Sequence, residues 1–273
     1  MQKRNLILLI IATLLITVGT VLFLSKNKTD KLLSTPSSDK VSWTFDGKKW
    51  ASQGAPPLCP DPLILPSPVD LNLVTGVLYP GQERGGDYKP HGGFRFDNQA
   101  NNEVDVFTPM EGNLIKAARH LEYGEPQYSL YFIHDCGMMY KLDHIRELTA
   151  KFSEILNNIP MGSEGNSRTT EIRPAVYVAQ GEQIATKVGF EHFPGGYQDR
   201  NVFVDFGIYD LRKTNGVNYD SDFRVKHSNI NEYGTHAVCW FDYLSSEDEA
   251  VVRRLPAIGD SGKTSDYCGG TDG

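Results

Sequence analysis

The chain has 273 residues, and its 40% hydrophobic and 22% charged content is ordinary for a globular protein. Its formal net charge of -7 argues against a nucleic-acid-binding surface, and no basic patch or RNA-binding signature occurs in it. The length allows one sizeable domain with a core of ordinary size, or two small domains.

An uncharged apolar run occupies residues 5–24. At about 1.5 Å per residue, this run as a helix would span about 30 Å, the thickness of a bilayer core. A cleavable signal peptide has a shorter apolar region, of about 7–15 residues, and a small-residue cleavage site, which is missing here. We therefore expect a short cytoplasmic stub at residues 1–4, a transmembrane signal anchor at residues 5–24, and a single-pass protein of the cell membrane with an extracytoplasmic body.

The cysteines fit an exported chain with two disulfides. Four cysteines allow three pairings, and the sequence cannot choose among them. We favour Cys239 with Cys268, because this bond would tie down a tail that is rich in Gly and Asp. Cys59 and Cys136 would then form the other bond. No C-x-x-C occurs, which argues against a zinc knuckle.

The first part of the exported body is irregular. Residues 25–40 are polar and predict a flexible spacer, and the Asp46-Gly47 turn between two tryptophans predicts a hairpin at residues 41–53. Residues 55–68 are rich in proline and cannot form regular structure. The predicted parts are therefore a linker with a small Trp-containing hairpin (25–55), a β domain (56–245) and a C-terminal tail (246–273).

From residue 69 onward, short apolar runs separated by turn residues predict a mainly β, mostly antiparallel sheet. The helical spacing of apolar residues at 146–158 predicts one short helix, and a second helix is possible at 246–255. Residues 161–173 are polar and predict a loop. The predicted strands form hairpins at 105–107 with 114–118 and at 129–134 with 138–142. Residues 175–178 and 183–188 are predicted strands that flank a turn at Gly181, and a further strand lies at 202–209.

The stretch KPHGGFRFD at residues 89–97 is the most informative in the chain. His91, Gly93, Arg95 and Asp97 alternate with other residues, so on a strand they share one face, and phenylalanines fill the other. A face with His, Arg and Asp in succession is unusual for a strand that only needs to be solvated. The alternative interpretation is an edge strand with a wet face.

Part of this stretch is the first of six short segments whose order along the chain is informative. The segments are residues 91–95 (HGGFR), 106–114 (VFTPMEGNL), 133–137 (IHDCG), 142–145 (LDHI), 178–189 (VAQGEQIATKVG) and 203–208 (FVDFGI). Together they resemble the motifs of the lysostaphin-type (LytM-like) zinc endopeptidases, which cut peptidoglycan cross-bridges. The resemblance covers residues 69–209 and implies the antiparallel β architecture of those peptidases, which is similar to a duplicated hybrid motif.

The resemblance also locates the positions that would carry catalysis. The family's three zinc ligands fall on His91, Arg95 and Asp205, and its two assisting histidines fall on His144 and Phe203. An Arg side chain is always charged and has no lone pair for a metal. The resemblance therefore implies an altered metal site.

Our first hypothesis is that a bidentate ion pair between Arg95 and Asp205 replaces the metal and that the domain is catalytically inert. No cofactor is then expected. The resemblance implies a peptidoglycan-binding or envelope regulatory module, whose partner is peptidoglycan or an envelope protein.

The alternative is an active metal-dependent peptidoglycan endopeptidase with relocated ligands. His91, Asp97 and Asp205 would hold zinc, His144 would act as general base, and Arg95 would bind a substrate carboxylate. A third alternative is a purely structural envelope domain. A preserved groove over His91 and His144 would favour ligand binding over this last alternative.

Overall fold

The computed structural model describes residues 41–196, 199–227, 230 and 232–269. Within these ranges no helix is both long enough and apolar enough to cross a membrane. The cytoplasmic stub, the signal anchor and the spacer that the sequence predicts at residues 1–40 lie outside the described residues.

A small antiparallel hairpin begins the described chain. It consists of β1 (Ser42–Phe45) and β2 (Trp50–Gln53), which confirms the predicted hairpin. The indole Nε1 of Trp43 donates a hydrogen bond of 2.9 Å to the backbone carbonyl of Asp135. The hairpin is thereby attached to the turn that contains Asp135.

The remaining strands run from residue 76 to residue 210. They are β3 (Gly76–Leu78), β4 (Gln82–Arg84), β5 (Asp87–Lys89), β6 (Gly92–Arg95), β7 (Glu103–Phe107), β8 (Gly112–Glu122), β9 (Glu125–Ile133), β10 (Met138–Leu148), β11 (Gly162–Glu164), β12 (Thr170–Val178), β13 (Gln183–Val188) and β14 (Phe203–Asp210).

The main sheet has ten strands, seven of which follow one another in the order β11-β8-β9-β10-β14-β6-β3. Strand β12 also pairs with β8, and β13 pairs with both β10 and β7. Every pair is antiparallel except β11 with β8. Strands β4 and β5 form a separate hairpin. The mainly β, mostly antiparallel fold predicted from the sequence is confirmed.

Strand β10 changes partner at His144. Residues 138–143 pair with β14, whereas Ile145 pairs with Val188 of β13. Between these two ladders the backbone of His144 adopts a φ of +57°, in the left-handed region. Its carbonyl accepts a hydrogen bond of 2.8 Å from the backbone N–H of Gly189. The partner change therefore breaks the simple alternation of side chains along β10.

Two predicted elements differ from the observed ones. The predicted hairpin between residues 105–107 and 114–118 is wrong, because β7 pairs with β13 while β8 pairs with β9 and β12. The predicted loop at 161–173 is also wrong, since it contains β11 and the start of β12. Alternation identifies a strand, but long-range packing selects its partner.

Three short α-helices occur in the described part of the chain, against one helix predicted and a second considered possible. Helix α1 (Ala150–Leu156) is shorter than the predicted 146–158, because residues up to Leu148 belong to β10. Helix α2 (Ser221–Lys226) was not predicted. Helix α3 (Ser246–Arg254) agrees with the possible helix at 246–255, with acidic residues in its first turn and arginines in its last.

Two disulfides join Cys59 to Cys136 and Cys239 to Cys268. They confirm the pairing favoured from the sequence. The first attaches the proline-rich segment, which has no helix or strand, to the turn between β9 and β10. The second attaches the C-terminal tail beside Trp240, a fully buried residue of the main core.

Candidate functional site

The pairing of β6 with β14 brings His91 and Asp205 together. Asp205 lies opposite Gly93 in the antiparallel register, close to the start of β6. The Nε2 atom of His91 lies 2.9 Å from Oδ2 of Asp205, and both residues are buried. A glycine at position 93 is required, because a Cβ there would lie 2.5 Å from the carbonyl oxygen of Val204.

His144 joins this pair from β10. Its Nε2 atom lies 3.8 Å from Oδ2 of Asp205, and its ring packs on Phe203 with the centroids 4.5 Å apart. The Nδ1 atom of His144 is buried and has no hydrogen-bond partner. Three of the candidate residues from the sequence, His91, His144 and Asp205, therefore meet at one place.

Arg95 and Asp97 lie apart from this cluster. The Nη2 atom of Arg95 lies 2.6 Å from Oδ1 of Asp97, and the guanidinium lies 6.0 Å from the ring centre of Phe203. Asp97 is exposed and accepts a hydrogen bond from Thr75. These contacts correct the expected Arg95–Asp205 ion pair, because the register puts Phe203 opposite Arg95. They also leave Asp97 outside any ligand set that includes His91.

A buried ion pair between Lys141 and Asp143 adjoins the cluster. The Nζ atom of Lys141 lies 2.7 Å from Oδ2 of Asp143. The other carboxylate oxygen accepts hydrogen bonds from the hydroxyl of Ser129 and, at 2.9 Å, from the backbone N–H of His144. Burial raises the pKa of Asp143, but the Lys141 charge and these hydrogen bonds outweigh burial and hold the pKa well below its usual range.

The family motifs do not include Lys141, so the resemblance missed this pair, although the sequence carries a signal for it. Lys141 and Asp143 are opposite charges two residues apart within a strand that is otherwise largely apolar. Such residues share a face and can pair. Burial of Lys141 lowers its pKa, but Asp143 and nearby tyrosines outweigh burial and raise the pKa well above its usual value.

His91 and Asp205 hold defined charges at neutral pH. Burial lowers the pKa of His91 to about 4, and the Lys141 charge adds to this effect. Burial raises the pKa of Asp205, but His91, His144 and Arg84 outweigh it and lower the pKa to about 2. The imidazole of His91 is therefore neutral and donates its Nε2–H to an ionised Asp205.

The implied zinc can be tested against these residues. One ligand atom each from Asp143, His144 and Asp205 lie within 4.8 Å of one another, which is the spacing that a metal needs. However, both oxygens of Asp143 already accept hydrogen bonds, one of them from a buried ammonium. Lys141 and Arg84 supply two positive charges against the two carboxylates. A divalent ion would add to a cluster that is already neutral, so these residues do not fit zinc.

A cavity of about 310 Å³ opens beside His91. Its buried lining includes His91, Tyr131, Lys141 and Tyr209, and its more exposed lining includes Lys89 and His227.

A chain of aromatic rings connects this cavity to the N-terminal hairpin. The ring of Tyr233 lies 5.7 Å from the rings of both Tyr131 and Tyr209. Trp50 of β2 stacks on Tyr233 with the centroids 5.4 Å apart. The hairpin thus packs directly behind the tyrosines that line the cavity.

Comparisons with known proteins show little similarity. No protein-family model matches the chain, and no curated protein matches it. Among solved structures, Csd3 from Helicobacter pylori has 11% sequence identity and a TM-score of 0.31, over 71% of this chain and 47% of that chain. The chain therefore spans about half the length of Csd3. The likeness is weak and concerns the fold alone.

Proposed function

We propose that this chain is a membrane-anchored, extracytoplasmic binding module, built on a peptidase-like β domain, that binds peptidoglycan and does not hydrolyse it. The observation that carries the proposal is the cluster beside His91 in which Lys141 and Arg84 compensate the carboxylates of Asp143 and Asp205. A metallopeptidase needs protein ligands with free lone pairs and an open position for water. Here the charge that a metal would supply comes from Lys141.

The location outside the cytoplasm is supported by chemistry. Two disulfides are typical of proteins that fold in an oxidising compartment. The apolar run at residues 5–24 has the length of a bilayer span. Together these features support an exported body held at the membrane.

Binding rather than a purely structural role is supported by the cavity. A scaffold domain gains nothing from a polar opening of about 310 Å³ beside a buried histidine and lysine. Buried charged groups are costly, and their concentration beside an opening is typical of a functional site.

The test uses the full-length chain purified in detergent. We expect no retained zinc after incubation with excess metal and desalting, no release of peptides from purified peptidoglycan, and co-sedimentation with it. Co-sedimentation should weaken when the cavity is altered by Tyr209→Phe, and should be unchanged with Tyr177→Phe, an exposed tyrosine that does not line the cavity. Absence of co-sedimentation, with capture of an envelope protein instead, would reassign the partner.

An active metallopeptidase is the second candidate, because ligand atoms of Asp143, His144 and Asp205 lie within 4.8 Å of one another. It predicts near-stoichiometric zinc that is lost in Asp205→Asn, together with hydrolysis of peptidoglycan. Either result would contradict the binding module.

A further inference from the structure

The floor of the cavity beside His91 is built from hydrogen-bond donors. The Lys141 ammonium lies 5.5 Å from the ring centre of Tyr131. Burial raises the pKa values of the Tyr131 and Tyr209 hydroxyls, so both keep their protons at neutral pH. These three groups can all donate toward the cavity.

Gly207 sets how closely these groups approach one another. A Cβ at position 207 would lie 2.8 Å from the Cβ of His91 and 2.9 Å from the hydroxyl oxygen of Tyr209. His91 and the Tyr209 hydroxyl therefore lie on either side of a position that only glycine can occupy. Both residues line the cavity, so the Tyr209 hydroxyl is held close to His91.

The charged residues in the rest of the lining already have partners. Lys89 lies 3.2 Å from Asp87, while Lys226 and His227 contact Glu83, which is outside the lining. The donors on the floor therefore decide which ligand the cavity binds.

We propose that this cavity binds the terminal carboxylate of an acylated amino acid or short peptide. The oxygens of a carboxylate accept several hydrogen bonds, which matches the donors of one ammonium and two hydroxyls. The volume of about 310 Å³ is at the lower end of the range for small-molecule sites, so the ligand is of amino-acid size. This inference rests on the proposed binding function and names the ligand class of that site.

The donors of the floor also select between two sources of carboxylate. A free amino acid carries an ammonium group, which needs acceptors, whereas the floor offers donors. An acylated residue at the end of a peptide lacks that charge. We therefore expect N-acetylalanine to bind more tightly than free alanine, in at least one of its two enantiomers.

Calorimetric titration of the full-length chain tests the inference with four probes: N-acetyl-D-alanine, N-acetyl-L-alanine, N-acetylalaninamide and inorganic phosphate. We expect one N-acetylalanine enantiomer to bind at least about 10-fold more tightly than the amide, because a charge-assisted hydrogen bond is lost with the carboxylate. Equal binding of acid and amide would overturn the inference. Phosphate binding at least as tight as that of the acid would also overturn it.

Conservative variants keep the inference testable. Tyr131→Phe and Tyr209→Phe should each weaken binding by roughly 3–10-fold, the effect of one hydrogen bond, and leave the fold intact. Tyr177→Phe is the matched control, because its exposed hydroxyl donates to Glu111 away from the cavity. If all three variants bind equally, the site lies elsewhere. This outcome is separate from the zinc and hydrolysis measurements, which test the proposed function itself.

Discussion

Lys141 and Asp143 form a buried ion pair two residues apart on strand β10, with 2.7 Å between Nζ and Oδ2. Asp143 lies opposite Asp205 of β14, so the pair adjoins the cluster directly. It places a fixed positive charge against a carboxylate of the cluster. The pair therefore opposes binding of a metal ion at this site, and its ammonium is a hydrogen-bond donor for a ligand.

Removing the ammonium should change the metal preference of the cluster. In Lys141→Met, Asp143 loses its cation, and Asp143, His144 and Asp205 become a set with one uncompensated carboxylate. We expect zinc retention by this variant and none by the parent chain. The unfolding free energy without metal should fall by about 3–5 kcal/mol, the cost of leaving a buried charge unpaired.

Metal analysis after incubation with zinc and desalting measures zinc retention. Urea unfolding with and without zinc measures the change in unfolding free energy. Lys187→Met is the matched control, because Lys187 pairs with Glu147 at 3.0 Å away from the cluster. It should change neither metal content nor stability appreciably. A Lys141→Met protein that stays free of zinc and as stable as the parent would contradict the role assigned to the pair.

Stability should depend on pH through His91. Its folded pKa is about 4 and its ordinary value is 6.5, so between these values the unfolded chain binds a proton that the folded chain does not. Stability therefore falls as the pH decreases from about 6.5 toward 4, by on the order of 3 kcal/mol. Asp205, with a folded pKa of about 2 against 3.8, extends the loss to lower pH.

Urea midpoints measured from pH 7.5 to pH 4.5 provide the check. His91→Gln retains a donor for Asp205 but does not titrate, and it should flatten the profile between pH 6.5 and 4.5. An unchanged slope in this variant would assign the acid sensitivity to another group.

The left-handed backbone at His144 should restrict what can replace it. Its φ is +57°, a conformation that Asn adopts readily and β-branched residues do not. His144→Asn should fold normally, whereas His144→Val should be less stable than His144→Asn by about 1–2 kcal/mol. Thermal unfolding of the two variants measures this difference, and equal stability would show that β10 can change partner without the left-handed residue.

The two disulfides should contribute unequally to stability. The Cys59–Cys136 bond spans 77 residues and the Cys239–Cys268 bond spans 29. In the chain-entropy description, their loss costs about 4–5 and about 3–4 kcal/mol respectively. Paired Cys→Ser variants, compared by urea unfolding, measure the order. A larger loss at Cys239–Cys268 would indicate that packing around Trp240 dominates over loop entropy.

Much of the sheet could be predicted from the sequence, because strongly patterned runs such as residues 129–134 and 202–209 are typical of strands in any context. Their hairpin partners were predictable only where a short turn joins neighbours, as in β9 with β10. The pairing of β7 with β13 joins segments far apart in the chain, so no local signal specifies it.

The candidate site was also predictable only in part, because motif order can be read from the sequence whereas strand register cannot. The meeting of His91, His144 and Asp205 followed from the order of the motifs. The partner of Arg95 depended on the register between β6 and β14, which the sequence does not specify. Asp143 and His144 are adjacent residues, yet both reach Asp205, because the left-handed turn at His144 breaks the alternation that predicts opposite faces.

The position of Trp50 behind Tyr233 has a practical consequence. Of the three tryptophans, Trp240 is enclosed in the main core and Trp43 contacts the turn after β9, whereas Trp50 stands one aromatic ring away from the tyrosines of the cavity. The fluorescence emission of Trp50 responds to the packing of the Tyr233 ring. The molecule thus carries its own optical probe, with which occupancy of the cavity can be followed in an unlabelled chain.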